Sequence, residues 1–383
     1  MIGVIADDLT GAAELAGVGL RYGLSAEVVS APETGGDAEL VCVDTDSRSC
    51  PPEDAGCRAA EAAGKLRASR AEWIYKKVDS VLRGHIVAEL EAIMAQFRLN
   101  RALLLPANPV LGRIIRDGQY LIGGKPIHET DFRFDPEYPR SASSVRMMIG
   151  TSGSLPVRVC GLHGPLPSEG IIVGEAQSAD DLTHWASRSD AFTLASGASE
   201  FFAALLEKTG RNAVSSASGL WPTPKDRRRL FVSGSASEAG HDFLAESRKQ
   251  GVPVFCLPAE SVHETELGLS AKNRLARQVN EALESNPRVV LGIGLPPVRD
   301  PRVVRRLASH LTQLAEAVLL RAPVGHVYAE GGATAANLIR RLGWTRLRAL
   351  REIAPGVVTF RIADNPRCVL TLKPGSYAWP KEM

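Results

Sequence analysis

Nowhere in the 383 residues is there a run of about 18 uncharged apolar residues, so a transmembrane helix is not expected. The start, Met1 to Asp8, lacks a basic stretch and has two acids where a secretion signal would be apolar, which points to a cytoplasmic protein. Cysteine is sparse: Cys42, Cys50, Cys57, Cys160, Cys256 and Cys368 form no CxxC pair. That excludes a zinc knuckle and a disulfide framework, and it leaves buried free thiols as the expectation. Aromatic residues make up only 5%, too few for base-stacking platforms. No excess of one charge exists, since 45 Lys and Arg oppose 43 Asp and Glu for a net charge of +2. Neither nucleic acid nor an anionic membrane is therefore expected as a partner. Familiar chemical signatures are missing as well: there is no GxxxxGK[ST], no HExxH, no GxSxG and no GxGxxG after a strand. P-loop, zinc-hydrolase, serine-hydrolase and nicotinamide-enzyme readings lose their usual support.

What the chain does have is 35 glycines, 24 prolines and 44% hydrophobic residues, the composition of a folded protein with many tight connections. Its length predicts two domains. Short β-branched runs at 2–6, 26–30, 40–43, 73–78 and 102–105 alternate with Ala-rich amphipathic stretches at 11–22, 53–68 and 84–97. This alternation predicts parallel βαβ units. Residues 119–127, with Gly123 and Gly124 between two short apolar runs, predict a hairpin that edges the sheet or forms a flap. Strands at 157–160 and 171–173 and helices at 179–187 and 199–208 complete a first domain over 1–210. A linker is expected at 211–229, where apolar periodicity disappears around Pro222, Pro224 and the basic run 225–229. A second strand–helix series fills 230–383, so the expected fold class is α/β, two domains with mainly parallel sheets and a Rossmann-like first domain.

Polar clusters fall at the carboxyl ends of predicted strands, where open α/β sheets bind ligands. Asp7, Asp8 and Thr10 follow the first strand. Paired carboxylates there can accept a hydroxyl proton or position a metal, while the structural alternative is helix capping by Asp8 or Thr10. The segment 44–48 ends in Arg48, with an ordinary polar loop as the alternative. Lys77, Asp79, Ser80, Arg83 and Gly84 follow another strand. Lys77 and Asp79 would share one face of an extended chain, and the Arg83 fork could hold a carboxylate bidentately. Asn108 and Arg113 lie on a proline-fixed loop, and His128 follows the hairpin. In the second half Ser233, Gly234, Ser235 and Ser237 open one helix, and Gly331, Gly332, Ala333 and Thr334 open another. Lys373 and Gly375 close the last strand. Small residues at helix starts let backbone N–H groups approach an anion, which predicts nucleotide phosphate binding.

Taken in order, these segments resemble the four-carbon acid sugar kinase family. Its sugar-acid half carries ADDLTGA, DTxSR, KxDSxLRG and PAxP…GR, present here at 6–12, 44–48, 77–84 and 106–113. Its nucleotide half carries SGSxS, GGxT and a closing KSGxFG, matched at 233–237, 331–334 and 373–378. The resemblance implies an ATP-dependent, Mg2+-assisted kinase that phosphorylates a hydroxyl of a tetronate or similar sugar acid, with domain closure excluding water. Asp7 or Asp8 would then be the base or metal-positioning acid, with Lys77, Arg83 and Arg48 on the sugar acid. A homodimer is the expected assembly. The chain departs from the pattern at Ala333, where many relatives carry glutamate, and at Pro374 and Ala378 in the closing segment. Those departures motivate the alternative, a non-catalytic sugar-acid-binding protein with a degenerate nucleotide site.

Overall fold

The computed structural model describes residues 1–30, 37–135, 137–150, 153–214, 228–234, 238–296, 298, 300–375, 379 and 380, and it divides into two compact units at residues 217 and 218. In the first unit strands and helices alternate as β1 (Ile2–Ala6), α1 (Leu9–Arg21), β2 (Ala26–Val29), β3 (Leu40–Asp44), α2 (Pro52–Ala68), β4 (Trp73–Lys77), α3 (Ile86–Phe97) and β5 (Arg101–Leu105). Next come three short strands, β6 (Arg113–Arg116), β7 (Gln119–Ile122) and β8 (Lys125–Pro126), and the short helix α4 (Val145–Ile149). The unit ends with β9 (Val157–Cys160), β10 (Gly170–Gly174), α5 (Ala179–Arg188), β11 (Thr193–Gly197) and α6 (Ser199–Lys208). Its strands run β2-β3-β1-β4-β11-β5-β10-β9, every described pair parallel.

Strands buried on both faces read as near-continuous apolar runs, and β1, IGVIA, is one. Ile5 and Ile74 join the core that α2 and α3 complete with Leu66 and Leu90. One residue on, Tyr75 faces the opposite side and meets Phe201 and Phe202 of α6. Because β1 lies between β3 and β4 while the chain leaves it toward β2, the strand order reverses at the β1–β4 boundary. Ligands of open α/β sheets settle in that crevice.

The second unit repeats the scheme with β12 (Arg229–Ser233), α7 (Glu238–Lys249), β13 (Val254–Cys256), α8 (Leu269–Ser285), β14 (Arg288–Gly292), α9 (Pro301–Leu319), β15 (His326–Glu330) and α10 (Gly332–Leu342). An antiparallel meander follows, β16 (Arg346–Ala354), β17 (Val357–Ile362) and β18 (Asn365–Lys373). The order β13-β14-β12-β15-β18-β17-β16 places a second reversal between β12 and β15.

Two expectations need correction, the hairpin's place and the burial of the cysteines, and one strand has no sequence signal. The hairpin has its two-residue glycine turn, Gly123 at φ 56° and Gly124 at φ 80°, but it neither edges the main sheet nor stands alone. With β6 it makes a separate antiparallel sheet, tied by Ile115 to Ala176. Strand β11 sits between β4 and β5 although TLASG, small and polar, gives little strand signal. The cysteines are free, yet only Cys42 and Cys368 are buried and Cys57 is exposed. Most of the expected linker, 215–227, and Ser235, Ser237 and Ala378 lie outside the described residues. No helix among the described residues is long and apolar enough to cross a membrane.

Phe202 is buried against Tyr75 at 5.1 Å between ring centroids and against Trp73 at 5.6 Å, so it anchors β4. Phe202→Ala is expected to lower unfolding stability by about 3–5 kcal/mol. Urea denaturation with an unchanged m-value checks this.

Candidate active site

At the β1–β4 boundary the network centres on Arg48. Its Nε and Nη2 donate to the two oxygens of Asp7 at 2.7 and 2.9 Å, and Nη1 donates to Asp8 Oδ2 at 2.8 Å. Asp79 Oδ1 stands 4.0 Å from the same Nη1. Backbone geometry supports the pairing, because the N–H groups of Ser47 and Arg48 both donate to the Asp7 carbonyl. Asp7 is buried, which opposes its charge, but the Arg48 and Lys76 cations outweigh burial and hold its carboxyl below the usual range. Gly84, at φ +92°, passes so close that a Cβ would lie 2.9 Å from Asp7 Oδ2. A side chain there would strain both the backbone and the pair.

The two adjacent acids thus have different roles. Asp8 is the N-cap of α1, its Oδ1 accepting from Gly11 N–H at 2.9 Å and its Oδ2 from Thr10 Oγ1 at 2.5 Å. Capping and Arg48 binding coexist, because a carboxylate has lone pairs for both. β4 ends at Lys77, so Lys77 and Asp79 are not on one strand, although the Lys77 charge still helps to lower the Asp79 carboxyl. Its Nζ lies 3.1 Å from Glu14 of α1 and donates to its neighbour's carbonyl, Val78 O. Lys76 instead pairs with Glu89 of α3 at 3.0 Å, both buried, and Glu89 also accepts from Ser47.

Arg83 holds a carboxylate bidentately, as its fork predicts, but that carboxylate is internal: Nε and Nη2 each reach Asp79 at 2.9 Å. Burial opposes the Asp79 charge, and Arg83 and Arg48 together overcome it, leaving the carboxyl well below the usual range. Asp135, 3.3 Å from Arg83 Nη1, was not singled out in the sequence. Nor were Tyr138, whose hydroxyl donates to the Arg48 carbonyl, or Tyr120, whose hydroxyl donates to the Ser80 carbonyl. Asp135 and Tyr138 follow the hairpin in an irregular segment with no periodic signal, while Tyr120 lies within it, on β7. Asn108 is an N-cap bridged to Arg113, and Arg113 Nη1 donates to Ser80 Oγ. His128 stands outside this ring of contacts, its Nδ1 paired with Ser143 Oγ at 2.9 Å.

At the second unit's reversal a buried pair dominates, Lys373 Nζ to Glu330 Oε1 at 2.9 Å. Glu330 Oε2 also accepts from Ser233 Oγ at 2.7 Å. Glu330 was missed in the sequence, although an acid ending the apolar strand HVYAE is a usable signal. Gly234 and Gly331 do not present their N–H groups to a ligand: these donate to Glu330 O at 3.2 Å and Lys373 O at 3.0 Å. Gly234 provides room instead, since a Cβ there would fall 1.8 Å from Thr334 Oγ1. The first intrahelical bond of α10 is Ala335 N to Gly331 O, which leaves the N–H groups of Gly332, Ala333 and Thr334 as the helix-start donors an anion can use. Gly375 follows Lys373 and Pro374 beyond β18.

Burial pushes the Asp44 carboxyl, at the end of β3, up to about 8, against the N–H of Asp46 donating at 2.9 Å. An unfolded Asp titrates near ~3.9, so between about pH 4 and 8 the folded chain keeps a proton the unfolded chain has lost, and stability falls as pH rises. Asp7 and Asp79 act outside that window, their contribution being present above about pH 4 and lost as pH falls through their lowered values. Asp44→Asn keeps the acceptor for Asp46 and is expected to flatten the slope by up to about 1.4 kcal/mol per pH unit. Urea unfolding at several pH values reads this, and an unchanged slope would show that Asp44 is ionised when folded.

Residues 2–205 match the family described as sugar-binding N-terminal domain, and 230–377 the one described as nucleotide-binding C-terminal domain. A D-threonate kinase of Salmonella typhimurium is 27% identical, the match covering 92% of this chain and 89% of that protein. A 3-oxo-tetronate kinase of Methylobacterium radiotolerans is 28% identical over 98% of this chain and 96% of its own length. Among solved structures, Haemophilus influenzae protein HI1011 superposes with a TM-score of 0.72 at 20% identity, covering 98% of this chain and 97% of that one, a likeness of fold. With both domains matched in this order across nearly its whole length, the chain belongs to the four-carbon acid sugar kinase family.

Proposed function

We propose that this protein is an ATP-dependent kinase that phosphorylates a hydroxyl of a four-carbon sugar acid, a tetronate or a 3-oxo-tetronate. The observation that carries the reading is the convergence of 6–12, 44–48 and 77–84 on one guanidinium, Arg48, at the crevice of the first unit. Full-length relatives named as threonate and oxo-tetronate kinases supply the substrate class.

Phosphoryl transfer asks little covalent chemistry of a protein and much positioning. Asp7 is a poor base, because both of its oxygens are held by Arg48 and its carboxyl is held below the usual range. Asp8, less buried at its side chain (18% exposed against 3%), is the acid that orients the acceptor hydroxyl and takes its proton. Gly332, Ala333 and Thr334 bind the nucleotide phosphates through backbone N–H groups at the start of α10, with Gly234 packed against Thr334. Lys373 acts indirectly, its charge being matched by Glu330. No three His, Cys, Asp or Glu side chains among the described residues gather as a metal site. When bound with the nucleotide, Mg2+ would supply positive charge to the transferring phosphoryl group, a mode that needs few protein ligands. The setting is cytoplasmic and the assembly a homodimer, with no nucleic-acid or membrane partner.

A coupled ATP-consumption screen over threonate, erythronate, their 3-oxo forms and glycerate is expected to show turnover with at least one four-carbon acid. No turnover with any of them, and no heat on titrating ATP–Mg2+, would sink the reading. Asp8→Asn should fold normally, because Asn caps helices as well as Asp. Its kcat is expected to fall by about 10²–10⁴, the usual contribution of general base catalysis. Wild-type turnover would move the base elsewhere.

A further inference from the structure

We infer that the acceptor's carboxylate is received by Arg140, together with Arg113, and not by Arg48 or Arg83. The inference rests on the kinase reading above and specifies what that site recognises. It comes from asking which cations near the crevice still have charge to offer. Arg48 is matched by Asp7 and Asp8, Arg83 by Asp79 and Asp135, Lys77 by Glu14 and Lys76 by Glu89. Each of these four already has a carboxylate within 4 Å, so an incoming anion would have to displace one.

Arg140 and Arg113 differ. Arg140 is 91% buried, and its Nη2 donates to the carbonyl of Val81 at 2.8 Å. Its Nε is buried with no acceptor, and no carboxylate among the described residues lies within 4 Å of the group. The carboxylates that act on it from farther away, Asp79 and Asp135, are both already bound to Arg83, and a buried guanidinium with no carboxylate of its own in contact is costly, so one kept in place beside a ligand crevice points to an anion supplied from outside. Arg113 likewise has no carboxylate within 4 Å among the described residues. It donates to the Ser80 hydroxyl and lies 5.8 Å over the Phe132 ring. Both arginines meet the same turn, Ser80 and Val81, next to Asp79, and the Tyr120 hydroxyl closes that turn from the small sheet. Two guanidinium groups on one turn, neither in contact with a carboxylate of the described residues, make a receptor for a single carboxylate, because the planar fork fits that group. The preference for an acid over the corresponding neutral compound then originates at Arg140.

The test is calorimetric binding of the four-carbon acid that the wild-type enzyme phosphorylates, and of its carboxamide, to wild type, Arg140→Gln, Arg140→Lys and Arg113→Gln. Arg140→Gln is expected to weaken binding of the acid by about 30-fold, the scale of a lost charged hydrogen bond, and to leave the carboxamide within about twofold. Arg140→Lys should restore part of the acid's affinity. If Arg140→Gln does not fold, Arg113→Gln has the same expected pattern. Acid affinity within about twofold of wild type, or equal losses for acid and carboxamide, would overturn the assignment while leaving the kinase reading intact. A wild-type enzyme that binds no four-carbon acid would overturn both.

Discussion

The Arg48–Asp7 pair is the constraint on which the first unit's crevice depends. Removing two charges from water is expensive, and a buried pair holds only where geometry is good and remaining donors are satisfied. Here the guanidinium has Asp7 on one side, Asp8 on another and Asp79 at 4.0 Å, and the Arg48 main chain adds an N–H to Asp7 O and a carbonyl for Tyr138. One residue therefore fixes the end of β1, the loop after β3, the turn after β4 and the segment beyond the hairpin. The glycines fit around this constraint. Gly84 is required because the chain turns there at positive φ, and a Cβ would lie 2.9 Å from Asp7 Oδ2.

The second unit reaches the same end by a different pairing. Glu330 and Lys373 end adjacent parallel strands in direct register, so the ion pair spans β15 and β18, and Ser233 of β12 adds a hydroxyl. This buried carboxylate immediately precedes the Gly331–Gly332 start of α10, so it sets where the helix-start donors point without itself meeting a phosphate. Burial lowers the Lys373 value, and Glu330 opposes that shift. Glu330, bound by Lys373 of β18 and Ser233 of β12, ties three strands together.

Strand–helix alternation was legible because parallel strands buried on both faces, such as IGVIA, are uniform apolar runs, and because glycine and acids cluster where strands turn into helices. Strand β11 was not, since TLASG gains its place from neighbours on both sides and not from its own propensity. The site was legible by position and not by partner. Asp7, Asp8, Arg48, Asp79 and Arg83 do converge, but a sequence shows which charges sit at strand ends without showing which of them neutralise one another. Spacing places Lys77 near Asp79, whose charge it does feel, but its ion-pair partner is Glu14 of α1, which no spacing shows. Arg83 was read as waiting for a ligand, whereas Asp79 fills its fork. Asp135, Tyr138 and Arg140 reach the crevice from irregular chain, where no periodicity marks which side chains turn inward.

Pro374 shows how structure changes the weight of a sequence departure. Read alone, a proline in place of serine removes a hydroxyl and an N–H donor from the closing segment. In the fold, what Pro374 contributes is its carbonyl, which accepts from Lys373 Nζ at 2.9 Å, and proline retains that group. The lysine it holds is the same one that pairs with Glu330, so the substitution leaves the buried interaction behind the α10 start intact. Ala333 is similar in kind. At the second position of α10 an alanine keeps its backbone N–H, the group a phosphate would use, and gives up only the carboxylate that the family pattern implies there. Both departures remove side-chain chemistry and leave the backbone donors in place, which favours a working nucleotide site over a degenerate one.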